Sequence, residues 1–257
     1  MTDTVVYVYA VGDAGLAGSD QLAALTGVSD APVRAVVAGE LAAAVSSVDA
    51  AGFSEESLRR CFEDLHWLAE TARAHHSVID ALAERQPVAP LRLATVYLDD
   101  DNVVALLDEQ RAGLCSALDR IRGRSEWGLK AFVGERRTTS DGEAEPPTEG
   151  TRPGTSYLLR RRAEREQARR GQEEATDAAE QLHRRVAEFA VASRRYPPQD
   201  PRLSGFHDEM VLNAAYLVDD AGAAALQHEI DGWDQAVLRL MLTGPWAPYS
   251  FATLEEP

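Results

Sequence analysis

The chain has 257 residues, of which 45% are hydrophobic and 26% charged, and its formal net charge is −16. This length allows one large domain or two ordinary ones, and the hydrophobic fraction is sufficient for packed cores. The acidity argues against general nucleic-acid binding, because phosphate contacts require a basic face.

The sequence contains no apolar run that approaches the length of about 18 residues expected of a transmembrane helix. Its first residues, MTDTVVYVYA, lack the basic start of a secretory signal. Cys61 and Cys115 lie in helical patterns and form no CxxC motif. We therefore expect a reduced, cytoplasmic protein with neither a membrane nor a nucleic acid as its partner.

The first half of the chain mixes β-type and helical patterns. Its β-type runs are residues 4–11, 31–39, 41–48, 90–98 and 126–134. Gly39 and Glu40 predict a hairpin between the second and third runs. Helices are predicted over residues 54–84 and after a cap at Asp99–Asp101. This order predicts the α+β class and, for residues 1–134, a ferredoxin-like two-layer α/β sandwich.

Residues 135–153 contain no large apolar side chain, and their composition predicts a flexible linker. Residues 154–243 are predicted to form a helix-rich C-terminal domain with few strands. Its long helix, over residues 154–196, has a coiled-coil-like seam at Ala175, Ala179, Leu182, Val186 and Phe189. The seam packs either within the chain or against a partner helix.

The rest of this domain is predicted as a strand, a helix and a final short element. The strand covers residues 208–219, and the helix follows it to about Asp231. Residues 234–242 fit either a strand or a short helix.

Residues 160–170 form a basic segment within the long helix. Six arginines against two glutamates give the segment a local charge of +4. The arginines are Arg160, Arg161, Arg162, Arg165, Arg169 and Arg170. Two interpretations stay open: a solvated, salt-bridged helix face, or a contact surface for an acidic partner.

The C-terminal tail, residues 244–257, is unusually rich in proline and aromatic residues. Pro245 and Pro248 favour an extended chain, which leaves its aromatic side chains free to bury. These side chains are Trp246, Tyr249 and Phe251. We expect them to pack on their own C-terminal domain, with a partner-binding surface as the alternative.

Three motifs suggest chemistry, and none of them is complete. Gly12, Gly15 and Gly18 follow a strand, but their GxxGxxG spacing differs from the dinucleotide-binding GxGxxG pattern. Glu63 and His66 have the Glu-x-x-His spacing of dimetal bundles but no second copy. The His-x-Glu in FHDEM, residues 206–210, lacks the cysteine half of a zinc deaminase signature. We therefore predict no catalytic, cofactor-binding or metal-binding residues.

Six segments, taken in order, resemble the gas vesicle protein GvpL/GvpF family along most of the chain. In the first helix, Asp64, Leu65, Trp67, Leu68, Ala74 and His75 carry the likeness. The other segments are VYVYAV, PVAPLRLATVY, EWGLKAFV, VLNAAYLVD and GPWAPYSF. The chain departs from the family pattern at Ala247, where the tail usually has a proline.

The resemblance implies a non-enzymatic, accessory or minor structural role in gas vesicle assembly. It also implies partners: the small hydrophobic shell protein and other accessory gas vesicle proteins. On that basis the basic segment and the three tail aromatics are candidate partner-binding residues. The competing hypothesis is a small-molecule-binding protein or enzyme on a ferredoxin-like fold.

Overall fold

The structure is a computed structural model, and it divides into two compact units. It describes residues 3–18, 20–61, 63–134, 153–199 and 209–252. One unit comprises Met1–Glu126 with Pro245–Pro257, and the other comprises Trp127–Gly244. The predicted linker, apart from residue 153, lies outside the described residues, as does His207 of the FHDEM motif.

The first unit is built on an antiparallel sheet. Its strands are β1 (Thr4–Asp13), β2 (Arg34–Ala38), β3 (Leu41–Asp49), β4 (Val88–Pro90) and β5 (Val96–Tyr97). Its helices are α1 (Asp20–Ala24), α2 (Ala50–Phe53), α3 (Glu55–Cys61), α4 (Leu65–Ala83), α5 (Asp100–Glu109) and α6 (Arg111–Ile121). The strand order is β2-β3-β1-β4, and β5 also pairs with β1. The predicted hairpin is present, because β2 and β3 pair across Gly39 and Glu40.

Helices cover both faces of this sheet. The central strand β1 is buried without interruption over Val6–Gly12, which requires cover on each side. On one face Tyr9 packs in a core with Ile79 of α4. On the other face α5 and α6 pack against the sheet and bury Leu107 and Leu118. The α+β class is confirmed, whereas the ferredoxin-like, two-layer detail predicted for residues 1–134 is not.

The predicted helix over residues 54–84 is broken in the structure. The Asp64 carboxylate accepts hydrogen bonds from the amides of His66 and Trp67, at 2.9 and 3.3 Å, and so starts a new helix at Leu65. Glu63 therefore lies in the break between α3 and α4. The Glu-x-x-His spacing does not place Glu63 and His66 on one helix face.

The predicted strand over residues 90–98 is also interrupted. Its two ends pair with β1 as β4 and β5, the Leu91 amide and the Thr95 carbonyl still hydrogen-bond to β1, and residues 92–94 leave the sheet between them. Ala94 within this loop has a φ of 61°, in the left-handed region. A strand cannot continue through that conformation.

Buried tyrosine hydroxyls fix this loop to the core. The Tyr7 hydroxyl accepts a hydrogen bond from the Ala94 amide at 3.0 Å and lies 3.0 Å from His75 Nδ1. His75 Nε2 lies 3.2 Å from the Leu91 carbonyl, which can only accept. The neutral His75 ring therefore donates from Nε2 and accepts from Tyr7 at Nδ1.

Tyr9 holds a second loop in the same way. Its hydroxyl accepts from the Val28 amide at 2.8 Å and donates to Ser46 Oγ at 3.0 Å. Ser46 donates in turn to the Pro32 carbonyl at 3.0 Å. Gly27 passes so close that a Cβ there would lie 2.0 Å from the Tyr9 hydroxyl oxygen, so a side chain at this position would displace the hydroxyl.

The second unit contains strands and helices in the order β-α-β-β-α-β among its described residues. The elements are β6 (Ser125–Val133), α7 (Pro153–Phe189), β7 (Ala192–Arg195), β8 (Met210–Val218), α8 (Asp220–Asp231) and β9 (Leu238–Trp246). The sheet order is β7-β8-β6-β9. Leu182 of α7 and Leu226 of α8 share one core with β6 and β8. The ferredoxin-like element order thus occurs in this unit.

Two boundaries of the second unit differ from the prediction. The long helix ends at Phe189, and Ala192–Arg195 form a strand in place of its predicted last turns. Residues 234–242, left open between strand and helix, contribute to strand β9. The seam residues Ala175, Ala179, Leu182 and Val186 are buried against the unit's own core, whereas the last predicted seam residue, Phe189, is exposed at the end of α7.

We predict that His75 makes the free energy of unfolding depend on pH. Burial lowers its pKa from 6.5 to about 4, so the unfolded chain binds the proton more readily. The His75 contribution is therefore fully present above pH 6.5 and is lost as the pH falls toward 4. At 1.36 kcal/mol per pKa unit, up to about 3 kcal/mol is involved.

Chemical denaturation of the wild type and of His75→Gln at several pH values would measure this contribution. The glutamine retains hydrogen-bonding groups and does not titrate. The difference between the two proteins should change across pH 4 to 6.5. Parallel pH profiles would contradict the prediction.

Candidate partner-binding surfaces

The basic segment, residues 160–170, lies on a part of α7 that has no packed face. No residue from 160 to 174 is buried, whereas Ala175, Ala179, Leu182 and Val186 are. At 1.5 Å per residue this bare part of the helix is about 22 Å long. All six predicted arginines are exposed along it.

Glutamates on the same helix pair with three of these arginines. Arg160 lies 3.0 Å from Glu164, and Arg169 lies 2.9 Å from Glu166 and 2.7 Å from Glu173. A further bridge joins Arg170 to Glu166 at 3.3 Å. Hydrogen bonds from Arg169 and Arg170 hold the pKa of Glu166 below its ordinary value. Pairs at this spacing help a helix to form without a packed face.

Arg162 and Arg165 differ from the arginines in these pairs. Neither makes an ion pair or hydrogen bond with a residue in the described part of the chain. They lie three positions apart, which places them on neighbouring turns of one helix face. The positive charge available to a partner is therefore concentrated toward the amino-terminal side of the segment.

The C-terminal tail packs on the first unit, which corrects the expected packing on the C-terminal domain. Ala247 belongs to the core that contains Tyr7 and Ile79, and the Tyr249 ring lies 5.4 Å from the His76 ring. Phe251 is buried as well. The sequence prediction was wrong because chain proximity to β9 does not determine which core the tail joins.

A carboxylate at the start of β6 fixes the tail. Glu126 accepts hydrogen bonds from the Ser250 amide at 2.7 Å and from the Ser250 hydroxyl at 2.5 Å. The Tyr249 hydroxyl is buried with no hydrogen-bond partner among the described residues, and burial raises the Tyr249 pKa. No sequence pattern predicts the Glu126–Ser250 contact, because 124 positions separate the two residues.

Trp246 is the tail aromatic that does not pack. Its side chain is 53% exposed, although Ala247 beside it is buried. The predicted set is therefore divided: Tyr249 and Phe251 hold the tail in place, and Trp246 is accessible to a partner.

No feature in the described part of the chain forms a candidate catalytic or metal site. Groups of three or more His, Cys, Asp or Glu side chains able to hold a metal ion are absent from those residues. His66 pairs with Glu70 on the same helix at 3.4 Å. The buried His75 and its tyrosine partner have hydrogen bonds that fix a loop. No helix among the described residues could span a membrane.

Comparison with known proteins gives consistent matches over nearly the whole chain. A family model described as gas vesicle synthesis protein GvpL/GvpF matches residues 5–253. Gas vesicle protein L of a Streptomyces species is 41% identical over 231 residues, covering 90% of this chain and 86% of that protein. Gas vesicle protein F of the same organism is 30% identical over 230 residues, covering 86% and 87%.

A solved structure agrees with the fold. The crystal structure of gas vesicle protein GvpF from Anabaena aligns with a TM-score of 0.63 and covers 98% of each chain. Its sequence identity is 16%, so this likeness concerns the fold.

We predict that Glu126→Ala releases the tail. Loss of an acceptor shared by two hydrogen bonds at a charged group should weaken tail docking by about 1–3 kcal/mol. Hydrogen exchange of the amides of residues 247–252 would measure the release. Glu188→Ala removes an exposed glutamate from α7 and serves as the matched control. Equal exchange in both variants would show that Glu126 does not hold the tail.

Proposed function

Because the chain belongs to the GvpL/GvpF family of gas vesicle synthesis proteins, we propose that it is a non-enzymatic accessory protein of gas vesicle assembly. It has a role in gas vesicle formation. In our proposal it binds the small hydrophobic shell protein and other accessory gas vesicle proteins. It acts in the cytoplasm, in association with the growing vesicle.

The observation that carries this proposal is the part of α7 from residue 160 to 174. This part buries no side chain and so contributes nothing to the core of its own unit. Its charged side chains are available to another protein instead. The concentration of positive charge at Arg162 and Arg165 favours an acidic surface on that protein.

A shell subunit that lines a gas space exposes apolar surface before it polymerises, and is therefore prone to aggregate. An acidic protein that covers this surface would keep the subunit in solution until it is added to the shell. We therefore assign the shell protein and the accessory proteins to different surfaces. The basic segment takes an accessory protein.

The identities favour an L-type over an F-type assignment. The chain is 41% identical to the Streptomyces gas vesicle protein L and 30% identical to protein F of the same organism. We accordingly propose that it fills the place of protein L in its own set of gas vesicle proteins.

Co-purification tests the proposed function directly. The tagged full-length chain is expressed together with the shell protein and the accessory gas vesicle proteins, and the captured proteins are identified by mass spectrometry. We expect the shell protein and at least one accessory protein to be retained. Capture of neither would refute the proposal. A bound metal or cofactor absorbance in the purified chain would favour the enzyme hypothesis instead.

We predict that the double variant Arg162→Glu, Arg165→Glu loses its accessory partner. Reversing two unpaired charges replaces attraction by repulsion at the contact, and retention should fall at least about tenfold, which corresponds to 1.4 kcal/mol. The readout is the amount of each accessory protein captured by the tagged chain.

The control is Arg85→Glu, Arg92→Glu, which makes the same change in net charge at exposed positions of the first unit. Its retention should equal that of the wild type. Equal losses in both double variants would mean that net charge, and not the basic segment, controls binding. Trp246→Ala, measured in the same way, tests whether the exposed tail aromatic contributes to either contact.

A further inference from the structure

Strand β9 is an edge of the second sheet. The strand order β7-β8-β6-β9 leaves one side of β9 without a neighbouring strand among the described residues. The Gly134 amide donates to the Val237 carbonyl at 2.9 Å, so residue 237 faces β6. Because backbone groups alternate along a strand, the amides of Leu240 and Leu242 point to the open side.

The open side of β9 presents backbone hydrogen-bonding groups. The Leu240 amide makes a long contact, 3.5 Å, with the Gln235 side chain. The Leu242 amide points to the same side. The side chains of both leucines pack at the margin of the core and stay half-exposed.

The opposite edge of the same sheet is protected against strand pairing. Strand β7 is four residues long, contains Arg194 and Arg195, and is followed by Pro197 and Pro198. Short length, charge and proline are the usual means by which proteins block an edge. Strand β9 is longer, at nine residues; Arg239 is the charged residue within it, and its proline, Pro245, follows the stretch Leu238–Gly244.

Arg239 is the single charged residue from 238 to 244, and its guanidinium lies over the Phe132 ring, 4.4 Å from the ring centroid. The charge is thereby held against the unit's own sheet. The open edge presents an uncharged, leucine-rich strand in a chain in which 26% of residues are charged.

We propose that the edge of β9 from Leu238 to Gly244 binds an extended, apolar strand of the shell protein by adding it to the second sheet. This inference rests on the function proposed above, and it assigns the surface and mode of that contact. Strand addition supplies backbone hydrogen bonds at Leu240 and Leu242, and their side chains select an apolar partner. Two copies of this chain each carry −16, and that repulsion disfavours the alternative of self-pairing.

The test measures the shell protein captured by the tagged full-length chain after co-expression. Leu242→Lys places a charge on the open edge, and Leu242→Val retains an apolar strand-forming residue there. Thr243→Lys changes an exposed side chain on the same strand, so it remains informative if Leu242→Lys fails to fold. Ser193→Lys makes the same kind of change on the protected edge.

We expect at least a tenfold loss of captured shell protein with Leu242→Lys and Thr243→Lys, and wild-type capture with Leu242→Val and Ser193→Lys. Wild-type capture by both β9 lysine variants would overturn the inference and leave the proposed function standing. Absence of shell protein from the wild-type chain would overturn both. The remaining alternative is that a second copy of this chain pairs with the β9 edge, and light scattering of the purified chain tests it. Self-association that Leu242→Lys abolishes would identify the second copy as the partner at this edge and would also overturn the inference.

Discussion

The first unit depends on the hydrogen bonds that satisfy two buried hydroxyl groups of its central strand. Burying a hydroxyl without a partner costs several kcal/mol, and β1 buries two of them because both of its faces are covered. Tyr7 finds its partners in His75 and the Ala94 amide, and Tyr9 finds them in Ser46 and the Val28 amide. Two irregular loops therefore take fixed positions against the sheet. The left-handed conformation at Ala94 is maintained by these contacts and not by local preference.

In the second unit, one part of helix α7 packs in the core and stabilises the fold, and another part is exposed and available for the proposed binding. From Ala175 onward, α7 contributes side chains to the core, and from residue 160 to 174 it contributes none. Ion pairs between side chains of the helix stabilise the helical conformation of this exposed part, and the paired side chains stay in contact with water. The two edges of the sheet also differ, since β7 is four residues long with two arginines, whereas β9 is nine residues long with one. Substitutions that change a contact surface in this unit can therefore leave its core intact.

Sequence patterns predicted the features that depend on neighbouring residues. The hairpin at Gly39, the buried seam from Ala175 to Val186 and the strand β8 all follow from local spacing and composition. The patterns failed where the local conformation depends on contacts with residues that are distant in the sequence. The break at residues 92–94 depends on Tyr7, and the packing of the tail depends on Glu126. The long helix was predicted to run to residue 196 because the short strand β7 continues the helical pattern of α7. The basic segment was visible as a charge cluster, but only coordinates separate its paired arginines from Arg162 and Arg165.

The contact between Glu126 and Ser250 has a consequence for how the chain folds during synthesis. Residues 245–252 complete the first unit, yet they leave the ribosome only after the whole second unit has been made. While more than a hundred residues are added, the core of the first unit therefore lacks the tail residues that pack close to Tyr7 and Ile79. During that interval the nascent chain exposes apolar surface that the folded unit hides, and it stays prone to aggregation until residues 245–252 pack.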